Sequence, residues 1–171
     1  MDGVLTEGEW DGAFAVDFQV FLPQATDSAI RDAQILIKSD SANICFALNL
    51  NAGTDDYDGL TWGINFDQEL LIDDNWLYRL YVNLNHMHAG LLEVIQGVGD
   101  LAAHQVPTQT IIEIAQTLSD PDLLLEDRHI VLLRMSVGLH RPNEPCTPGA
   151  NCSIKWLGYE EPIQYTIGST G

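Results

Sequence analysis

Apolar and polar residues alternate along most of this chain, and the period is two rather than 3.6. From Phe14 to Phe21, Val16, Phe18 and Val20 recur at alternate positions. Residues 33–38 repeat the pattern, and after a polar turn residues 43–50 place Ile44, Phe46, Leu48 and Leu50 on one face, which predicts a β-hairpin. Residues 61–67 set Trp62, Ile64 and Phe66 on a common side, and residues 76–84 do the same with Trp76, Tyr78, Leu80, Val82 and Leu84. Further strands are predicted at residues 110–116, 129–137, 153–157 and 163–167. Residues 91–103 depart from the rule: Leu91, Val94, Ile95, Val98, Leu101 and Ala102 have helical spacing. Gly97 and Gly99 would each weaken a helix by about 1 kcal/mol, so a strand followed by a loop is expected. Ser119-Asp120-Pro121 has the cap and first-turn proline of a brief helix. Strands at this density, without long helices between them, predict an all-β fold. Its form is an antiparallel two-sheet β-sandwich, jelly-roll-like, with at most one short helix, in a single domain over residues 1–171.

Composition narrows what such a sandwich can bind. Seven basic side chains against 25 acidic ones give 7 − 25 = −18. A surface that negative repels phosphate backbones and anionic lipid heads, so nucleic acid is not an expected partner; neutral ligands, cations and basic partners remain. The same charge also serves solubility in a salty medium, where screening removes most of the self-repulsion. The longest apolar runs, such as Ile130 to Leu133, fall far short of the roughly 20 residues that cross a bilayer, so no membrane insertion is expected. Cys146 and Cys152 bracket a short loop of turn formers, while Cys45 lies in an apolar stretch and reads as a buried small hydrophobe. A Cys146–Cys152 bridge with Cys45 free is expected, which implies an oxidising compartment: a secreted protein or an extracellular surface. Two unpaired thiols on an exposed loop fit the spacing as well.

Motifs for catalysis are missing. Gly97-Val98-Gly99-Asp100-Leu101-Ala102 matches a dinucleotide glycine pattern in letters only, because Pro107 leaves no room for the helix it needs. Neither a Gly-x-Ser-x-Gly elbow nor a His-Glu-x-x-His pair occurs, and nothing selects two carboxylates as a glycosidase pair. The chain is read as non-enzymatic, with no organic cofactor. Asp55, Asp56 and Asp58 cluster in a turn that could give calcium several of its six to eight oxygens, or stand as a solvated acidic loop. His86 and His88 flank Met87 at a spacing that suits zinc or copper, though two ligands do not make a site.

The opening run Asp2-Gly3-Val4-Leu5-Thr6-Glu7-Gly8-Glu9-Trp10 resembles the start of the family nine carbohydrate-binding modules and their DOMON-like relatives. The match continues in order through the hairpin of residues 32–50, the segment from Gly59 to Asp67 with Trp62 and Phe66, and Ile111-Ile112-Glu113-Ile114-Ala115. Physically, Asp-Gly suits a tight turn, Leu5 can enter the core, and Trp10 can lid one end of the sandwich with its indole N–H finding an acceptor. The resemblance implies a non-catalytic β-sandwich that holds a neutral saccharide or cell-surface glycan between aromatic rings, with structural calcium common among relatives. Residues 73–109 lie outside the match, so contacts there rest on chemistry alone: sugar C–H faces stack on aromatic rings and hydroxyls need polar side chains. Trp62, Trp76 and Trp156 are candidate rings, each of which also fits a core position. Tyr81 with Arg79 and Asn83 forms the preferred polar-aromatic face. Haem-binding relatives use axial histidine or methionine, which makes a haem or metal redox domain around His86 and His88 the rival reading. A structural module, working beside other domains of a larger secreted protein and holding no small ligand, is the third.

Overall fold

The computed structural model describes residues 2–23, 29–67, 78–85, 91–96, 101–118, 130–141 and 152–168; for residues 67, 78–85 and 91–96 the description is of the backbone. Among them there are eleven strands and no helix. These are β1 (Phe14–Phe21), β2 (Ile30–Ser39), β3 (Asn43–Leu50), β4 (Gly59–Asp67), β5 (Tyr78–Asn85), β6 (Leu91–Gln96), β7 (Leu101–Val106), β8 (Gln109–Thr117), β9 (Ile130–His140), β10 (Cys152–Leu157) and β11 (Ile163–Thr166). They form two sheets in the orders β1-β2-β3-β8-β7 and β10-β9-β4-β5-β6, with β11 also on β9. All pairings are antiparallel. The expected two-sheet sandwich is therefore the fold; the short helix predicted near residues 119–125 lies outside the described residues.

Alternation explains the packing. Ile35, Ile37, Ile44, Phe46, Leu48 and Leu50 of the first sheet meet Leu60, Trp62, Ile64, Phe66, Leu133, Met135, Val137 and Leu139 of the second in one buried cluster. Phe46 and Phe66 cross edge to face, with centroids 5.9 Å apart at 81°. Near one end Tyr57 is 1% exposed, and its hydroxyl is hydrogen-bonded to Thr110 Oγ1 and accepts from Gln105 Nε2 at 3.0 Å. Burial pushes the Tyr57 phenol up to about 12.

Residues 91–103 open with the expected strand, β6; residues 97–100, where the expected loop would begin, lie outside the described residues. After β6, residues 101–103 open a second strand, β7, which pairs with β8 in the other sheet. The helical spacing comes from two sources. The ladder between β5 and β6 shifts register at Tyr81 and Val82, which breaks the alternation, and Leu101 and Ala102 belong to a different sheet.

The N-terminal segment also departs from expectation. Glu113 lies on β8 between Ile112 and Ile114, which face the core, so its carboxylate points to the outer side of the first sheet. There it is fully buried by residues 2–10: Oε2 accepts from the backbone N–H of Asp2 and Gly3 at 3.0 and 2.8 Å, and Oε1 accepts from Trp10 Nε1 at 3.0 Å. Gly3, at φ 76°, comes so close to β7 that a Cβ would lie 2.9 Å from the Ala103 carbonyl carbon. Trp10 finds the acceptor its indole needs, but it straps a sheet face instead of lidding an end, and Leu5 is half-buried outside the core cluster. Under this strap is a cavity of about 190 Å³ lined by Glu9, Trp10, Lys38, Ser39, Asp40 and Cys45. Cys45 is thus a half-buried free thiol on the outer face, not a core residue, and desolvation pushes its pKa up.

Candidate functional site

The second sheet's outer face owes its shape to an interruption in its edge. Leu157 of β10 pairs with Met135 of β9, and Ile163 of β11 pairs with Leu133, so β10 and β11 run along β9 as one strand broken by residues 158–162. Gly158 makes the break possible: its φ is 75°, and a Cβ there would sit 2.6 Å from the Leu133 carbonyl oxygen. The excursion brings Tyr159 against Trp156 edge to face, centroids 4.8 Å apart at 69°. Both rings stay open to solvent, Trp156 at 53% and Tyr159 at 37%. Arg134, the β9 residue opposite the excursion, has its guanidinium carbon 5.9 Å from the Tyr159 ring centre, a cation–π contact.

Register carries this cluster across the sheet. Trp156 stands opposite Ser136, which stands opposite Gly63, then Tyr81. In the next row Ile154, Gly138, Thr61 and Asn83 follow one another, and on the other side Arg134, Asn65 and Arg79. Three of the preferred positions, Arg79, Tyr81 and Asn83, therefore share a sheet face with Trp156, and the β5–β6 irregularity falls at Tyr81. Gly138 keeps the floor low, since a Cβ there would lie 2.6 Å from Thr61 Oγ1. Asn65 is 2% exposed; its Nδ2 donates to the Arg134 carbonyl at 3.4 Å, while its Oδ1 has no donor among the described residues. A buried acceptor in that state costs about 1–3 kcal/mol, and a buried water would relieve it.

Other predicted residues lie elsewhere. Trp62 is fully buried with Ile64 and Phe66, so it cannot be a ligand-stacking ring; the alternation that made it visible points it into the core. Its Nε1 has no acceptor among the described residues. Trp76, His86 and His88 lie outside the described residues. Asp55, Asp56 and Asp58 belong to the turn between β3 and β4, away from the rows above. Asp56 Oδ1 pairs with Arg31 at 3.3 Å and its Oδ2 accepts from the Gly53 N–H at 3.0 Å, so this carboxylate ties the turn together. Among the described residues no group of three or more His, Cys, Asp and Glu side chains is placed to hold a metal ion. No helix among them is long and apolar enough to cross a membrane. Tyr159, Arg134 and Asn65 were not anticipated. The one sequence signal for them was the interruption of apolar runs by Gly, Asn and Arg in predicted strands.

No protein-family model matches this sequence, and no curated protein sequence matches it. Among the solved structures that share its fold are two of a family 9 carbohydrate-binding module from Caldicellulosiruptor kristjanssonii. The one in complex with glucose has a TM-score of 0.52 at 11% identity, over 90% of this chain and 78% of that one. The one in complex with cellotriose has a TM-score of 0.50 at 12% identity, over 90% and 77%. At such identity the kinship shown is one of architecture: this chain has the β-sandwich fold of those modules.

Proposed function

We propose that this chain is a non-catalytic saccharide-binding module whose ligand lies on the outer face of the second sheet. The observation that carries the reading is the exposed Trp156–Tyr159 pair beside Arg134 and Asn65, because rings for C–H faces and polar groups for hydroxyls are what sugar recognition requires. The saccharides bound by the two fold relatives support it by analogy. An oligosaccharide array with neutral and acidic members, cellotriose among them, followed by calorimetry on the best ligand, tests it. Trp156→Ala should weaken binding at least about tenfold, the loss expected for a stacked ring. If no saccharide class binds, the module is structural and the reading fails.

Export belongs to the same proposal. Cys152 is buried and Cys45 is free, which fits a Cys146–Cys152 bridge and an extracellular setting. Calcium on the turn between β3 and β4 would have to displace Arg31 from Asp56. A melting temperature unmoved by calcium and by chelator would remove it from the proposal.

A further inference from the structure

Ile154 and Trp156 are two positions apart on β10, so both point to the outer side of the second sheet, about 7 Å from one another along the strand. Ile154 is 43% exposed. A lone exposed aliphatic residue carries no message, but this one extends the open Trp156–Tyr159 pair into a row of three. Along β9 the register sets Gly138 beside Ile154, Ser136 beside Trp156, and Arg134 opposite the excursion that carries Tyr159. Trp156 therefore stands between an aromatic neighbour on one side and an aliphatic one on the other. The row that Ile154 opens continues with a residue that has no side chain, Gly138, and its first hydroxyl, that of Thr61, lies beyond the glycine.

Resting on the saccharide reading above, we propose that the Trp156 site takes a 6-deoxyhexose, a sugar with a methyl group where the parent hexose carries a hydroxymethyl, and that Ile154 makes the selection. The pyranose ring stacks on the indole and its exocyclic carbon turns towards Ile154. A methyl group there removes apolar surface of both partners from water. A hydroxymethyl group in the same place brings its hydroxyl against an aliphatic side chain, where it gives up water without gaining a partner. The two sugars differ by one oxygen atom, so the discrimination falls on this single contact.

The acidic character of the chain does not oppose such a ligand. A 6-deoxyhexose is uncharged, so neither the charge of −18 nor the exposed Glu160 and Glu161 of the excursion repels it.

Calorimetry with the intact chain tests the inference on matched pairs of methyl glycosides: L-fucose with L-galactose, L-rhamnose with L-mannose, and 6-deoxy-D-glucose with D-glucose. In at least one pair the deoxy member should bind about threefold tighter or more, less than a methyl group is worth in a closed pocket because Ile154 stays partly open to water. Ile154→Thr keeps the β-branched shape that suits a strand but adds a hydroxyl, and it should abolish the preference. Ile154→Val should retain most of it, and Trp156→Ala should weaken both members of a pair alike. A smaller difference in every pair, or no binding of these sugars while another saccharide on the array binds, overturns the inference and leaves the saccharide reading standing. A preference that survives Ile154→Thr overturns it as well, since the selection then lies elsewhere. Binding of no saccharide at all overturns both.

Discussion

The outer faces of the two sheets arise from the same alternation and reach opposite states. On the first sheet several outward polar groups are closed among themselves. Glu113 is covered by the N-terminal strap and accepts three N–H bonds, while Gln34 donates to Asp17 at 2.7 Å and Gln19 to Asp32 at 2.8 Å. On the second sheet two aromatic rings stay uncovered, an arginine is parked against one of them, and a buried amide oxygen has no donor among the described residues. Under the proposed function, the difference separates fold maintenance from ligand recognition. Polar groups bonded within the fold hold a chain in place, whereas rings left open to solvent are available to a ligand.

The sharpest way to break this contrast is to exchange one tryptophan for another. Trp62→Ala should cost about 3–5 kcal/mol in urea unfolding, because it empties a fully buried site. Trp156→Ala should change stability by no more than about 0.5 kcal/mol and yet lose binding. If the two effects were reversed, the division of roles would be wrong.

Next in size is a pH effect from the core end. Burial raises the folded-state pKa of Tyr57 to about 12 from the ordinary phenol value of 10.0, so the native state holds its proton more tightly than the unfolded chain does. The associated stability is fully present below pH 10 and is lost as pH rises through about 12, by about 2–3 kcal/mol. Tyr57→Phe should flatten that part of the stability–pH curve without changing saccharide binding.

Glu113→Ala should destabilise by about 2–3 kcal/mol, since it strands three N–H donors, and it should leave saccharide affinity untouched. Gly158→Ala should cost about 1–3 kcal/mol and, unlike Glu113→Ala, weaken binding, because it moves Tyr159 along with the backbone. The smallest effect belongs to Asp17→Asn, within about 0.5 kcal/mol in the same unfolding assay, as expected for an exposed hydrogen bond.

Much of the architecture was legible because burial writes itself into period two: Phe46, Trp62 and Phe66 announced both their strands and the side they face. Trp62 carries the lesson, since the pattern that predicted its strand also assigned it to the interior, and only general ring chemistry nominated it as a contact. Arg79, Tyr81 and Asn83 were legible as one face for the same reason, and Trp156 as a ring in a strand. Tyr159 was not, because residues 158–162 show no period and their place depends on where the chain rejoins β9. Residues 101–103 were missed because a register shift in β6 and a change of sheet together imitate helical spacing. The strap was missed because an acid in the run from Ile111 to Ala115 gives no sign of what covers it.

The break between β10 and β11 leaves and rejoins the same neighbour without sliding it, since Met135 and Leu133 keep their partners on either side. Residues 158–162 can therefore be lengthened, shortened or rewritten while every other strand keeps its alignment. Under the proposed function, recognition would be mounted as a detachable part, and new preferences could be selected there, in nature or in a library, on a framework that never has to refold.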